Sequence, residues 1–165
     1  MIRKSSSFHR FLKIALGITL GLAAALTVFL MVVPEKEARS AELQGLLLFQ
    51  DGETAVCTVR VDGSLNTYAF EQDAPVFDGT LRMDEQAPEA VYLTFDGDYA
   101  VPKSDGARAV LTRDMELAAQ LTQDGRDCLL LAPAPDAQTA QTLLARFLAD
   151  VPFARKLGWE TYRQE

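Results

Sequence analysis

The chain has 165 residues, with 16 Lys+Arg against 23 Asp+Glu for a net charge of −7, and 48% of its residues are hydrophobic. That acidity argues against nucleic acid as a partner, because neutralising phosphates takes a basic surface. With a single histidine, His9, and only two cysteines, most imidazole-based hydrolysis and multi-ligand zinc sites are excluded as well.

Residues 1–13 form a short basic segment carrying Arg3, Lys4, Arg10 and Lys13 and no carboxylate. Residues 14–33, Ile14 to Val33, then run for twenty positions without a charge. As a helix rising about 1.5 Å per residue, the run reaches roughly 30 Å, the thickness of a bilayer's hydrocarbon core. The four basic residues before it leave 12 of the 16 to face all 23 acidic ones, so residues 1–34 stand at +4 and residues 35–165 at −11. A basic flank stays in the cytoplasm, which predicts a single-pass signal-anchor in the cell membrane, N-terminus inside and C-terminal domain outside. The competing expectation is a cleaved signal peptide and a secreted domain. Ala38-Arg39-Ser40 offers small residues before Ala41 for such a cut, but signal h-regions usually number about 7–15 residues and this run is longer.

Inside the span, Gly17, Gly21 and Ala25 recur at intervals of four and form a ridge of small residues. A second helix, from another copy or another membrane protein, can pack closely on such a ridge, and lipid against it is the plain alternative. Residues 34–41 are polar and read as a stalk. Residues 42–165 read as one extracytoplasmic domain, long enough to bury one core.

Asp-Gly occurs six times in that domain, at Asp51-Gly52, Asp62-Gly63, Asp78-Gly79, Asp96-Gly97, Asp105-Gly106 and Asp124-Gly125. Both residues accept positive φ, so each pair suits a two-residue hairpin turn. Strand-like segments lie between them. Leu46–Gln50 is apolar, and Thr54–Val61 alternates with Cys57, Val59 and Val61 on one face. Tyr68 with Phe70, Leu81 with Met83, and Val91, Leu93 and Phe95 continue the period of two. Ala109–Thr112 adds a strand, and Leu117–Gln123 with Cys128–Ala132 reads as a last hairpin, although Met115–Leu121 also fits a helical turn. After Pro133-Ala134-Pro135 the period changes. Asp136 can cap a helix whose apolar residues Ala140, Leu143, Leu144, Phe147, Leu148 and Val151 fall three and four apart. Pro152 ends or bends it, and Phe153 to Leu157 makes a second short turn stopped by Gly158. The expected fold is α+β: a transmembrane helix, then an antiparallel β-meander closed by a C-terminal amphipathic helix over its open face or end. A pleckstrin-homology-like barrel plus helix has the same order of elements and is the topological alternative.

The residues offer little for catalysis. Ser40, Ser64 or Ser104 could pair with Lys36, Lys103 or Lys156, but no spacing singles out a pair, and Lys103-Ser104 reads as a solvated loop. Asp96-Gly97-Asp98 is the best metal candidate, yet it lacks the twelve-residue calcium-loop pattern and reads more simply as a turn. No residue pattern points to a cofactor. Cys57 and Cys128 are compatible with a disulfide in an exported domain, or with two buried small hydrophobes. Trp159 and Tyr162 read as core plugs, with a partner-docking segment as the other reading. The expected function is a non-catalytic, membrane-anchored interaction or accessory protein of an envelope complex, its partner a membrane or envelope protein or a second copy. An exported ligand-binding or sensory module, with a pocket between sheet and helix, is the alternative.

Overall fold

The computed structural model describes residues 5–68, 74–102 and 108–163. Phe70, Lys103-Ser104 and Asp105-Gly106 lie outside them. The chain divides into two compact units, an N-terminal helical one and a β-domain.

The first unit is helix α1 (Ser5–Val32). Its run of Leu, Ala and Ile contains no proline until Pro34, which disfavours helical backbone at Val33 and ends the element. The stretch Lys13–Leu30 has a mean hydropathy of 2.0 and none of it is buried, so α1 is long and apolar enough to serve as a membrane anchor or a signal sequence.

The second unit is a meander of eight antiparallel strands: β1 (Glu35–Phe49), β2 (Thr54–Thr67), β3 (Val76–Met83), β4 (Glu89–Asp96), β5 (Tyr99–Pro102), β6 (Ala109–Thr112), β7 (Leu117–Gln123) and β8 (Arg126–Ala132). Each strand pairs with its neighbour in sequence, and β1 pairs with β8 from Leu46↔Leu131 to Phe49↔Cys128, so the sheet closes into a barrel. The meander is as expected. What closes it is the β1–β8 ladder rather than the C-terminal helix.

Alternation sorts the strand residues into two cores. Cys57, Val59, Val61, Phe77, Leu81, Met83, Val91, Leu93 and Phe95 point inward and fill the barrel together with Leu130 and their neighbours. The opposite faces of β1, β6, β7 and β8, with Leu46, Leu48, Val110, Ala118, Leu129 and Leu131, form a second core under the C-terminal helices. Strand β8 is therefore buried on both faces. Its unbroken Cys128–Ala132 run is the sequence mark of that position.

Helix α2 (Ala137–Asp150) supplies the other half of this outer core through Ala140, Leu143, Leu144, Phe147 and Leu148. The Asp136 side chain accepts a hydrogen bond from the Thr139 N–H at 2.7 Å, as its capping position predicts. Helix α3 (Pro152–Lys156) follows, Gly158 turns the chain at φ 72°, and a 3₁₀ helix (Trp159–Tyr162) ends the fold. The helices thus lie along the outer wall of the barrel, not over an open face or end as expected. The sheet has no open face once its inner side is filled by its own residues.

Two further expectations need correction, and one alternative falls away. The stalk is strand: residues 35–41 are the first half of β1. The segment read alternatively as a helical turn is strand β7, entered through Met115 at φ 65°. Of the described Asp-Gly pairs, those at residues 51–52, 96–97 and 124–125 are turns with glycine at positive φ. Asp62-Gly63 and Asp78-Gly79 instead lie within β2 and β3, where Gly63 and Gly79 face each other. A Cβ on Gly63 would sit 2.6 Å from the Asp78 carbonyl oxygen, 2.7 Å from Phe77 Cζ and 2.8 Å from Gly79 Cα. The Phe77 ring therefore lies across both glycines. An aromatic ring packed over paired glycines restores apolar contact that the missing side chains would have provided.

Candidate functional site

The surface of α1 is the first candidate. Ile14, Leu16, Ile18, Leu20, Leu22, Leu26, Val28 and Phe29 are each exposed by more than half. The two hydroxyls in the run turn back on the helix: Thr19 donates to the Ala15 carbonyl and Thr27 to that of Ala23, both at 2.9 Å. Such bonds satisfy the polar atoms inside the segment, as a hydrocarbon surrounding requires. A Cβ on Gly17 or Gly21 would meet no atom within 4 Å, and Ala25 is exposed, so the ridge of small residues is open on α1.

At each end of the barrel an arginine lies over a phenylalanine ring. At the end holding the β1–β2 and β7–β8 turns, the Arg126 guanidinium lies 4.4 Å from the centre of the Phe49 ring. It is paired with Glu53 at 2.7 Å and with Asp51. The hydrogen bond to Glu53 is the first cause that holds Arg126 protonated above its ordinary range, with both carboxylates adding to it. At the other end Arg113 lies 5.1 Å from the centre of the Phe95 ring and reaches Asp98 at 3.8 Å. Asp96-Gly97-Asp98, the metal candidate, is thus the β4–β5 hairpin with its second carboxylate facing a cation. Among the described residues no three His, Cys, Asp or Glu side chains cluster as metal ligands would.

The space left inside is small. A cavity of about 50 Å³ remains at the Arg113 end, lined by residues that include Arg39, Leu65, Phe77, Phe95 and Thr112. Ligand pockets usually hold about 300–1,000 Å³, so this one is the size of bound water. Two larger clefts are present, the first of them reaching the inward-facing Met83 and Leu121. One, of about 440 Å³, is polar and involves Gln86, Glu89, Arg108, Gln120 and Asp127. The other, of about 410 Å³, lies beside α2 between Glu116, Pro133, Thr139, Thr142 and Arg146.

Cys57 and Cys128 are both free and buried, 4% and 0% exposed. The structure has them as buried small hydrophobes, one of the two readings, with no bond between them. They stand on β2 and β8 with β1 between them, so two inter-strand steps of about 4.8 Å separate their backbones, beyond the ~7 Å that a disulfide spans. Burial pushes the Cys57 thiol up to about 12, with Asp84 and Cys128 adding to the shift, and burial raises Cys128 too.

Trp159 and Tyr162, 0% and 2% exposed, are plugs in the outer core rather than a docking segment. The hydrogen bond from Gln141 Nε2 to the Tyr162 carbonyl, 3.1 Å, ties the chain end to α2. Burial raises the Tyr162 hydroxyl's pKa, while Gln50 and Gln120, which face it, oppose the shift.

Two features escaped the sequence reading. The Arg126 contact with Phe49 and Asp51 joins residues far apart in sequence, 75 positions in the case of Asp51, and neither it nor the Arg113–Phe95 contact is marked by a local pattern. The Gly63/Gly79 pair carried a usable signal, since each glycine interrupts a period-two apolar pattern rather than ending one. Comparison of the chain with protein-family models, with curated proteins and with solved structures yields no match.

Proposed function

We propose that this protein is a single-pass, membrane-anchored accessory protein, with its basic N-terminus in the cytoplasm and its barrel outside, acting by contact with other envelope components and not by catalysis. The observation that carries the anchored reading is the start of β1. Only Val33 and Pro34 separate α1 from a strand that runs unbroken from Glu35, so the cleavage site before Ala41 falls inside an element of the folded domain. Cutting there would remove Ser40, whose hydroxyl donates to Asp62 Oδ1 on the paired strand.

The test is membrane extraction together with protease access. The full-length chain should stay in the membrane fraction at alkaline pH, and protease added to right-side-out vesicles should remove the barrel while sparing the span. A soluble product beginning at Ala41 would overturn the anchor. A second reading, a ligand-binding module, draws on the cleft of about 410 Å³ beside α2, the place where a sheet–helix pocket was expected. A saturable shift in melting temperature with a small polar ligand, abolished by Thr142→Trp, would favour that reading.

A further inference from the structure

The barrel is closed only over part of the length of β1. Its ladder with β8 runs from Leu46 to Phe49, and the Ala134 N–H adds one bond to the Gln44 carbonyl at 2.8 Å. Strand β8 ends at Ala132 and the chain then leaves for α2, so among the described residues nothing pairs with β1 on that side before Gln44.

On its other side β1 lies beside β2. The Phe49 N–H donates to the Glu53 carbonyl, and Ser40 meets Asp62, so residue i of β1 stands opposite residue 102 − i of β2. Backbone groups alternate in direction along a strand. Because the Gln44 carbonyl points to the β8 side, those of Glu42, Ser40, Ala38 and Lys36 point there too, into an edge with no strand partner among the described residues. All four residues are exposed.

We infer that this edge pairs with the same edge of a second copy, antiparallel about a two-fold axis at Ala38, making a continuous sheet across two barrels. This rests on the anchored reading above, since confinement to a bilayer keeps copies at high effective concentration. The charges favour this register. Ala38 opposite Ala38 sets Glu37 of each copy opposite Arg39 of the other, two opposite-charge cross-strand pairs, and Lys36 opposite Ser40. Glu37 and Arg39 already pair within the strand at 3.0 Å at the mouth of the barrel, so across the dyad each exchanges its partner for the same residue of the other copy. Charges on an edge can also keep copies apart. Here acid and base alternate on one face, so the same side chains attract in the two-fold register.

The experiment uses the full chain in native membranes. Ala38→Cys should form a disulfide-linked dimer under mild oxidation, because hydrogen-bonded antiparallel partners stand about 5.5 Å apart at Cα, within disulfide reach. Tyr92→Cys, exposed on the outer wall of β4, should not. Adding Glu37→Arg should lower the Ala38→Cys dimer about tenfold, as loss of two attractive pairs and gain of two repulsive ones implies. A further Arg39→Glu should restore it. In detergent, Ala38→Pro should sediment as a monomer with its Trp159 emission unchanged, because position 38 has its N–H on the free side and the β2 ladder is untouched. Equal crosslinking at positions 38 and 92 overturns the inference. So does a dimer indifferent to Glu37→Arg but lost in Gly17→Leu/Gly21→Leu, which would place self-association in the span. A monomeric chain that crosslinks to a different envelope protein removes this inference and leaves the accessory reading standing, whereas a chain released from the membrane removes that reading first.

Discussion

Replacing Gly79 by Ala tests the packing of the barrel at its tightest point. The new Cβ would lie 2.8 Å from Gly63 Cα and 2.9 Å from Phe77 Cε1, and closer still to the Asp62 carbonyl oxygen. Ordinary contacts are about 3.5–4.0 Å, so the two strands would have to part by more than half an ångström. They cannot do so freely, because β3 is laddered to β2 at Gly63↔Gly79 and to β4 at Gly79↔Val91. Overpacking costs about 1–3 kcal/mol, and relief of unfolded-state entropy returns about 0.4–1 kcal/mol. Because two of the three obstructing atoms are backbone, the upper part of the range applies and the net loss is about 2 kcal/mol. For a domain of this size that is roughly an 8 °C fall in Tm. Trp159 is the single tryptophan and is fully buried, so its emission during heating reports the transition, with far-UV circular dichroism checking that the barrel melts at the same temperature. Gly63→Ala should behave alike, and Gly17→Ala, with no atom near its added Cβ, should leave the barrel's Tm unchanged. A Gly79→Ala protein that melts with the wild type would refute the close approach of β2 and β3.

The buried thiols should be inert in the folded protein: maleimide should label neither Cys57 nor Cys128 at neutral pH, and should label both once the chain is denatured without reductant. Absence of labelling in denaturant would mean that the pair is oxidised. Removing the Trp159 plug by Trp159→Ala should cost about 3–5 kcal/mol, read as a lowered urea midpoint, and an unchanged midpoint would reopen the docking reading. The Asp136 and Asp62 carboxyls are held below the usual carboxylate range, Asp136 by the backbone N–H of Thr139 and Asp62 by the Ser40 hydroxyl. A depressed folded pKa means that each contribution is complete above about pH 4, where the unfolded groups are already ionised, and fades as pH falls through the lower folded values. Asp136→Asn keeps a capping oxygen but does not titrate, so melting curves from pH 7 downward should show a shallower acid loss than wild type. Parallel curves would separate the cap from the acid sensitivity.

The strands were legible because each inner face obeys a period of two: Cys57, Val59 and Val61, then Leu81 with Met83, then Val91, Leu93 and Phe95 all point into the barrel. Closure was legible only as a topological alternative, the barrel plus helix. An inward-facing residue has the same apolar character in an open sheet under a helix as in a barrel, and the deciding ladder joins Leu46 to Leu131, far apart in sequence. The helix cap and its apolar stripe were readable for the same local reason as the strands. The Asp-Gly pairs misled where the dipeptide was weighed without its flanks. Gly63 stands between Val61 and Leu65, and Gly79 between Phe77 and Leu81, each at the position where the inward pattern calls for a side chain. A missing side chain inside an alternating run marks close backbone approach, whereas Asp124-Gly125 follows the end of such a run and turns.

Residues 34–41 show why polarity alone could not separate a stalk, a cleavage site and a strand. An edge with water on one side and a half-covered inner face carries Lys36, Glu37, Arg39 and Glu42 as readily as a linker does. What distinguishes the strand is its partner, and the partner supplies a last prediction. A chain beginning at Ala41, the product of signal cleavage, would leave the end of β2 from Asp62 onward without β1 beside it and would strip Arg39 from the mouth of the barrel, where it lines the small cavity with Leu65 and Phe77. Several ladder bonds at about 0.5–1.5 kcal/mol each make the loss about 2–4 kcal/mol. Residues 35–165 and 41–165, purified without the span, should therefore differ in Tm by roughly 8–15 °C, the shorter chain melting first. Equal melting temperatures would show that the first half of β1 adds nothing to the domain, and the case for a retained anchor would then rest on the length of the apolar run alone.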